Sequence, residues 1–381
     1  MKITRLQTLC LSRLHEPERQ WFTSRYRTIK ADCAIVVIHT DSEMVGVGEA
    51  SAYGGPLLIR EWVDWLAQEL VGRSPSDPTI VPHPNGLSRA HDAAVAGIDC
   101  ASWDLRGKLA GVRTCNLLAK QPQTNVRLYA SSGCRYDWRN QPEQLIREAL
   151  EYISQGYTAY KFRLGTEWSW DGVAVERLLE LVRELAQSVA GRMELMLDGN
   201  MRLTEEQALV IARELERLGF AWFEEPIPAN QIEGYSRLCA AVELPISGGE
   251  GFTTLEQFRP YLEKHAYDIV QPDAGICGLS EALRIARTAE RYGVELVPHS
   301  WHNGLMALAN AHLLAALPRP HPLEQCMIQG PLQWGILAQS PNIKDGWLQL
   351  PAEPGLGAIL DKGLEERYPY IEGHYAVELQ R

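Results

Sequence analysis

The sequence predicts an α/β chain in which a parallel barrel follows a smaller α+β unit. Three features predict it: strands followed by helical spacing over the first 125 residues, eight short apolar runs alternating with amphipathic stretches from Val126 onward, and a polar residue closing most of those runs. Parallel strands need a crossover, so strands separated by helices read as βα units, and eight of them close a barrel.

Met1-Lys2-Ile3-Thr4-Arg5-Leu6 alternates polar with apolar residues, and Arg13 and Glu16 arrive before any apolar stretch of signal length accumulates. We read it as a first strand rather than a signal segment. Ala34–Thr40 and Val45–Ala50 form a meander around Asp41-Ser42, and residues 57–70 and 90–110 carry helical spacing. Together, residues 1–125 form the α+β unit.

Residues 126–330 form the barrel. Its strands are expected at Val126–Ser131, Ala159–Leu164, Glu194–Asp198, Trp222–Glu225, Pro245–Gly249, Asp268–Pro272, Glu295–His299 and Pro322–Cys326. Helical stretches between them include 142–155, 173–189, 205–218, 279–292 and 304–316, and Thr204-Glu205-Glu206-Gln207 is a capping box opening one of them. Residues 331–381 return to turns and strand, with Pro341, Gly346, Pro351, Pro354, Gly355 and Gly357, and are expected to pack back on the N-terminal unit.

The net charge of −11 disfavours a nucleic-acid groove or an anionic membrane surface as partner, yet leaves room for a small anionic substrate beside local cations or a metal. No window offers the roughly 18 uninterrupted apolar residues of a membrane span. Eight scattered cysteines without a CxxC pair read as reduced thiols of a cytoplasmic protein.

The strand ends carry the chemistry. Lys161 and Arg163 lie in Tyr-Lys-Phe-Arg, Asp198 in Leu-Asp-Gly-Asn, Glu224 in Phe-Glu-Glu-Pro, Glu250 in Gly-Gly-Glu-Gly, Asp273 in Gln-Pro-Asp, His299 in Val-Pro-His, and Glu324 in Pro-Leu-Glu. From Asp198 the steps are 26, 26, 23, 26 and 25 residues, one βα unit each, so these groups converge on the carboxyl end of a barrel. Three carboxylates converging without a cation repel, and an all-oxygen set suits a hard divalent ion such as Mg²⁺. Lys161 and Arg163, two apart on a strand, share a face. Asp273 and His299 end adjacent strands, where the carboxylate can orient the imidazole as a base. Trp301 reads either as a pocket wall or as loop packing.

This series resembles the enolase superfamily, and within it the mandelate racemase subgroup, over nearly the whole chain. The resemblance implies a modified TIM barrel, (β/α)7β, under an N-terminal α+β cap completed by the C-terminal segment, in an even-numbered homo-oligomer. It implies Mg²⁺ held by Asp198, Glu224 and Glu250, a bound substrate carboxylate, removal of the adjacent proton, and Glu324 as an acid donating a hydrogen bond to the developing charge. It further implies cap loops at residues 17–28, with Trp21, Arg25 and Tyr26, and 51–56, with Tyr53, closing over the substrate beside Asn200 and Trp301.

One departure bears on the reaction. Racemases of the subgroup carry Lys-x-Lys with the second lysine as a base, and here Arg163 stands there. Bringing a lysine to neutrality costs roughly 5 kcal/mol and an arginine at least about 7.5. With His299 as the principal base, and Lys161 left open as another, dehydration of an aldonate or aldarate to a 2-keto-3-deoxy acid is the leading expectation. An epimerase, racemase or cycloisomerase working through the same enolate is the alternative, and a carboxylate-binding homologue without turnover a further one.

Overall fold

The computed structural model describes residues 1–22, 26–51, 55–77, 82–135, 141–164, 174–301, 303–328 and 330–378. The cap contains β1 (Ile3–Leu14), β2 (Trp21–Phe22), β3 (Tyr26–Thr28), β4 (Lys30–Thr40) and β5 (Val45–Ala50), then helices α1 (Pro56–Leu70) and α2 (Arg89–Ala110). β1, β4 and β5 form an antiparallel sheet with β4 central. The first strand runs well past Leu6, because pairing with β4 continues to Leu14↔Lys30.

β4 reads as an unbroken apolar run because both of its faces are covered. Cys33, Ile35 and Val37 enter the large core shared with the barrel, whereas Ala34, Val36 and Ile38 pack with α1 and α2. The alternate glycines of β5 let α2 approach: a Cβ on Gly46 would stand 2.2 Å from the Ala101 carbonyl oxygen, and one on Gly48 2.4 Å from that of Gly97. α2 starts at Ser88, whose hydroxyl accepts from the His91 N–H, so Arg89 is its first residue.

The barrel strands are β6 (Asn125–Ser132), β7 (Ala159–Arg163), β8 (Glu194–Asp198), β9 (Trp222–Glu224), β10 (Ile246–Gly248), β11 (Ile269–Val270), β12 (Glu295–Leu296) and β13 (Leu323–Cys326). All are parallel: each of β6 to β11 pairs with its successor, and β13 pairs back to β6. β11 and β12 stop earlier than their apolar runs suggest, because Pro272 and Pro298 have no N–H to continue a ladder. Among the described residues a helix follows every barrel strand, the one after β13 being the single turn Pro331–Trp334, and the box at Thr204 opens Glu205–Arg217 as expected; Thr254 and Gln257 form a second box on the same pattern.

The C-terminal segment divides its contacts. β14 (Asn342–Lys344) and β15 (Trp347–Gln349) form a hairpin on β6, on the barrel rather than the cap. β16 (Ala376–Glu378) then pairs with β3 in the cap. The cap itself sits on the carboxyl end of the barrel strands, where the Ser51 N–H donates to the Gly275 carbonyl, Trp103 to Ser280, and the Thr253 hydroxyl to Asp92. Among the described residues no helix is long and apolar enough to cross a membrane.

Candidate active site

Side chains alternate along a strand, and this period of two builds the site in layers. Tyr129, Ala159, Met196, Trp222, Ile269 and Val297 pack together as an apolar cluster. Two residues on from each, one pleat higher, stand Ser131, Lys161, Asp198, Glu224, Gln271 and His299, all buried. The next step brings Arg163, Asn200 and Trp301 to the cavity above. Lys161 and Arg163 thus share the inward face, as their spacing predicts.

Lys161 lies between two carboxylates, its Nζ 2.6 Å from Glu224 Oε1 and 3.0 Å from Glu324 Oε1. Glu324 also accepts from the Ser131 hydroxyl at 2.8 Å and, through Oε2, from the Ser300 N–H at 2.7 Å. Burial pushes the Glu324 carboxyl up, but Lys161, His299 and these donors outweigh it and bring the group down to about 2. In this arrangement Glu324 accepts from Ser131, Ser300 and Lys161. Glu224 is also held by the Gln271 amide at 2.6 Å; burial and the nearby Asp198, Glu324 and Glu250 lift it to about 7 against the pull of Lys161.

Arg163 donates from Nε to Asp198 Oδ2 at 2.8 Å, and its guanidinium stands 5.9 Å from the ring of Trp21 and 5.3 Å from that of Trp301. Burial opposes its charge, but Asp198 more than compensates and raises it further above an already high value. The two indoles meet edge to face at 5.7 Å, so Trp301 is a cavity wall and Trp21 carries the cap onto it.

Opposite chemistry appears at His299. Its Nδ1 is 2.7 Å from Asp273 Oδ2, and its Nε2 is 3.6 Å from Glu250 Oε2 at the cavity. Burial alone lowers the imidazole, yet Glu250, the Asp273 hydrogen bond and Glu324 raise it to about 10. Asn310 ties the pair together: its amide donates to Asp273 Oδ1 and to the His299 carbonyl, both at 3.0 Å, and its oxygen accepts from the Ala274 N–H at 2.9 Å. Such an arrangement can move a proton at a fixed point while the carboxylate steadies the imidazolium.

Ser131, Gln271 and Asn310 stand beside the expected residues without having been singled out. Ser131 and Gln271 share the strand parity of the charged series, and Asn310 is one of two buried polar side chains in the otherwise apolar helix Gly304–Ala315. Asn200 and Tyr26 line the cavity of ≈ 630 Å³. Arg25 and Tyr53 lie outside the described residues.

Among the described residues no three acidic, histidine or cysteine side chains are preassembled as a metal shell, because Arg163, Lys161 and Gln271 occupy oxygens of Asp198 and Glu224. The donor chemistry still fits a hard cation. Asp198 and Glu224 are register partners on neighbouring strands, and Glu250 follows the next strand. Six carboxyl groups (Asp198, Glu224, Glu225, Glu250, Asp273 and Glu324) converge there with Lys161, Arg163 and the imidazole of His299. Burial and this crowding lift Glu224 and Glu225 above the usual carboxylate range, and a divalent ion relieves the repulsion. Backbone strain marks the same place: Asn200, Met201 and Glu225 all have positive φ, and at 34° Glu225 is turned so that its carboxylate accepts from the Gly249 N–H.

Residues 144–364 match the enolase C-terminal domain-like family, and residues 11–119 match the mandelate racemase / muconate lactonizing enzyme N-terminal domain. The chain is 28% identical to the D-galactarolactone cycloisomerase of Agrobacterium fabrum, over 95% of this chain and 97% of that one. It is 30% identical to the arabinonate dehydratase of Saccharolobus solfataricus, over 87% and 89%. The crystal structure of the 3,6-anhydro-D-galactonate cycloisomerase from Zobellia galactanivorans superposes with a TM-score of 0.84 at 29% identity, covering 97% of this chain and 99% of that one.

Proposed function

Since the chain belongs to the mandelate racemase and muconate lactonizing enzyme group of the enolase superfamily, we propose that it removes the proton α to a substrate carboxylate and expels the β-hydroxyl, a hydro-lyase reaction on a sugar acid. The observation that carries the reading is the asymmetry between His299, hung on Asp273, and Arg163, pinned to Asp198. His299 Nε2 takes the C2 proton, the C3–O bond breaks as the C2–C3 double bond forms, and the hydroxyl leaves as water with a proton returned by the imidazolium. The enol product then tautomerises to a 2-keto-3-deoxy acid. Asp273 fixes the imidazole tautomer, and Asn310 fixes Asp273.

Asp198, Glu224 and Glu250 would hold Mg²⁺, with Lys161 and Arg163 available for the substrate carboxylate and hydroxyls. When bound, the ion supplies Lewis-acid stabilisation of the charge that develops on the carboxylate. The arabinonate dehydratase relative supports this reading. An isomerase reading through the same proton abstraction is supported by the two relatives named as cycloisomerases. The eight free thiols support a reducing compartment, the cytoplasm, as the site of action.

The test is incubation with Mg²⁺ and a set of aldonic acids, aldaric acids and their lactones, reading 2-keto acid formation. We expect at least one acid to be dehydrated, the activity lost with EDTA and restored by Mg²⁺. Isomerisation without keto acid would support the second reading. Binding with neither turnover nor C2 exchange would leave only a carboxylate-binding protein.

A further inference from the structure

The cavity is lined by the cap and the C-terminal segment as well as by the barrel. Tyr26 on β3, Arg89 at the start of α2 and Tyr375 just before β16 line the same space as His299 and Arg163. The two tyrosine rings meet edge to face at 5.9 Å. Burial raises the Tyr375 phenol, its hydrogen bond with Tyr26 adds to this, and the charge of Arg89 acts the other way.

This wall is fixed at several points. β16 pairs with β3 from Ala376↔Thr28 to Glu378↔Tyr26, and the Tyr375 carbonyl accepts from the N–H groups of Ile29 at 2.9 Å and Lys30 at 3.1 Å. The buried Lys30 ammonium donates to the carbonyls of Ile371 at 2.6 Å and Gly373 at 2.9 Å. The two phenols are thereby brought together on the cavity that Arg89 also lines, and guanidinium with phenol donors matches an anionic oxygen group.

We propose that Arg89, Tyr26 and Tyr375 form a distal anion subsite that selects acids carrying a second negative group at the end away from the reacting carbon, above all aldarates or their lactones with a terminal carboxylate. The proposal rests on the α-proton chemistry at His299, since that chemistry fixes which end of the substrate lies at the barrel floor.

The test compares kcat and KM for a stereochemically matched aldonate, aldarate and 6-phosphoaldonate in the wild type, Arg89→Met, Arg89→Lys and Tyr375→Phe, with C2 exchange in D₂O as a second readout. The wild type is expected to favour a dianion over the aldonate by about tenfold or more in kcat/KM, mainly through KM. Arg89→Met should bring that ratio close to one, with Arg89→Lys and Tyr375→Phe between. Preference for the aldarate over the phosphoaldonate identifies the terminal group as carboxylate, and the reverse order identifies it as phosphate and overturns the aldarate assignment. Equal or better use of the aldonate by the wild type, or an unchanged ratio in folded Arg89→Met, overturns the subsite while leaving the α-proton chemistry standing. Absence of both turnover and exchange with all three acids overturns that chemistry and the subsite with it.

Discussion

On one flank of the cavity His299 hangs from Asp273 and turns its other nitrogen toward Glu250 and the open space; on the other Arg163 is bound to Asp198 and covered by two indoles. Both are cations beside carboxylates, on inward positions above the same apolar layer. They differ in what a proton can do there. Even raised to about 10 by its neighbours, the imidazole can give up its proton, whereas a guanidinium held by a carboxylate keeps all of its protons and serves as a fixed donor. Two inward cations on one cavity therefore need not share a chemistry, and a site with two flanks can have one base.

The harshest way to break this contrast is to remove the titrating group. His299→Asn should lower kcat by about a thousandfold, within the range of general acid–base catalysis, while circular dichroism shows the fold intact. Retained turnover would move the base to Lys161. Next comes the support behind it. Asn310→Leu removes the amide that holds both Asp273 and the His299 carbonyl, and should lower kcat by about ten- to a hundredfold with KM little changed.

The opposite flank can be sharpened instead of broken. Arg163→Lys replaces a fixed donor with a group whose proton is cheaper to move, and should cost about tenfold in dehydration while adding C2-inverted isomer to the recovered substrate. Recovered acid with no inverted isomer would mean that the second flank lacks more than a titratable side chain.

The smallest effect lies beneath the His299 flank. Glu49 on β5 accepts from the Asn303 side chain and the Met306 N–H at the start of helix Gly304–Ala315, and burial lifts its carboxyl to about 7. Because the folded value lies above the unfolded one, the stability it contributes is complete below pH ~4.5 and is lost as pH rises through ~7, with a ceiling of about 3 kcal/mol. Thermal unfolding should therefore come earlier at pH 8 than at pH 5, and Glu49→Gln should flatten that difference. An unchanged slope in the variant would assign the pH dependence elsewhere.

Much of the barrel face was legible because charge interrupts apolar runs. Lys161, Asp198, Glu224 and His299 each break a strand that would otherwise read as core, and each stands two residues beyond a member of one apolar layer. Ser131 and Gln271 occupy the same layer, but neutral side chains break no charge pattern. Asn310 was hidden for another reason: its role depends on the tertiary placement of its helix beside Asp273, Ala274 and His299, which no local spacing reports. The cap was legible as strands and helices, but the approach of Tyr375 to Tyr26 is made by tertiary pairing of β3 with β16. The partners of Glu324 were hidden in the same way: of Ser131, Ser300 and Lys161, two are uncharged, and only their positions bring them to its carboxylate.

A site with one base is tested most directly by turnover of its preferred acid in D₂O with Mg²⁺, followed by NMR of both product and recovered substrate. The expected result is a 2-keto-3-deoxy acid carrying deuterium at C3, with no C2-inverted isomer in the remaining substrate. Deuterium at C2 of an inverted isomer, without keto acid, would contradict it.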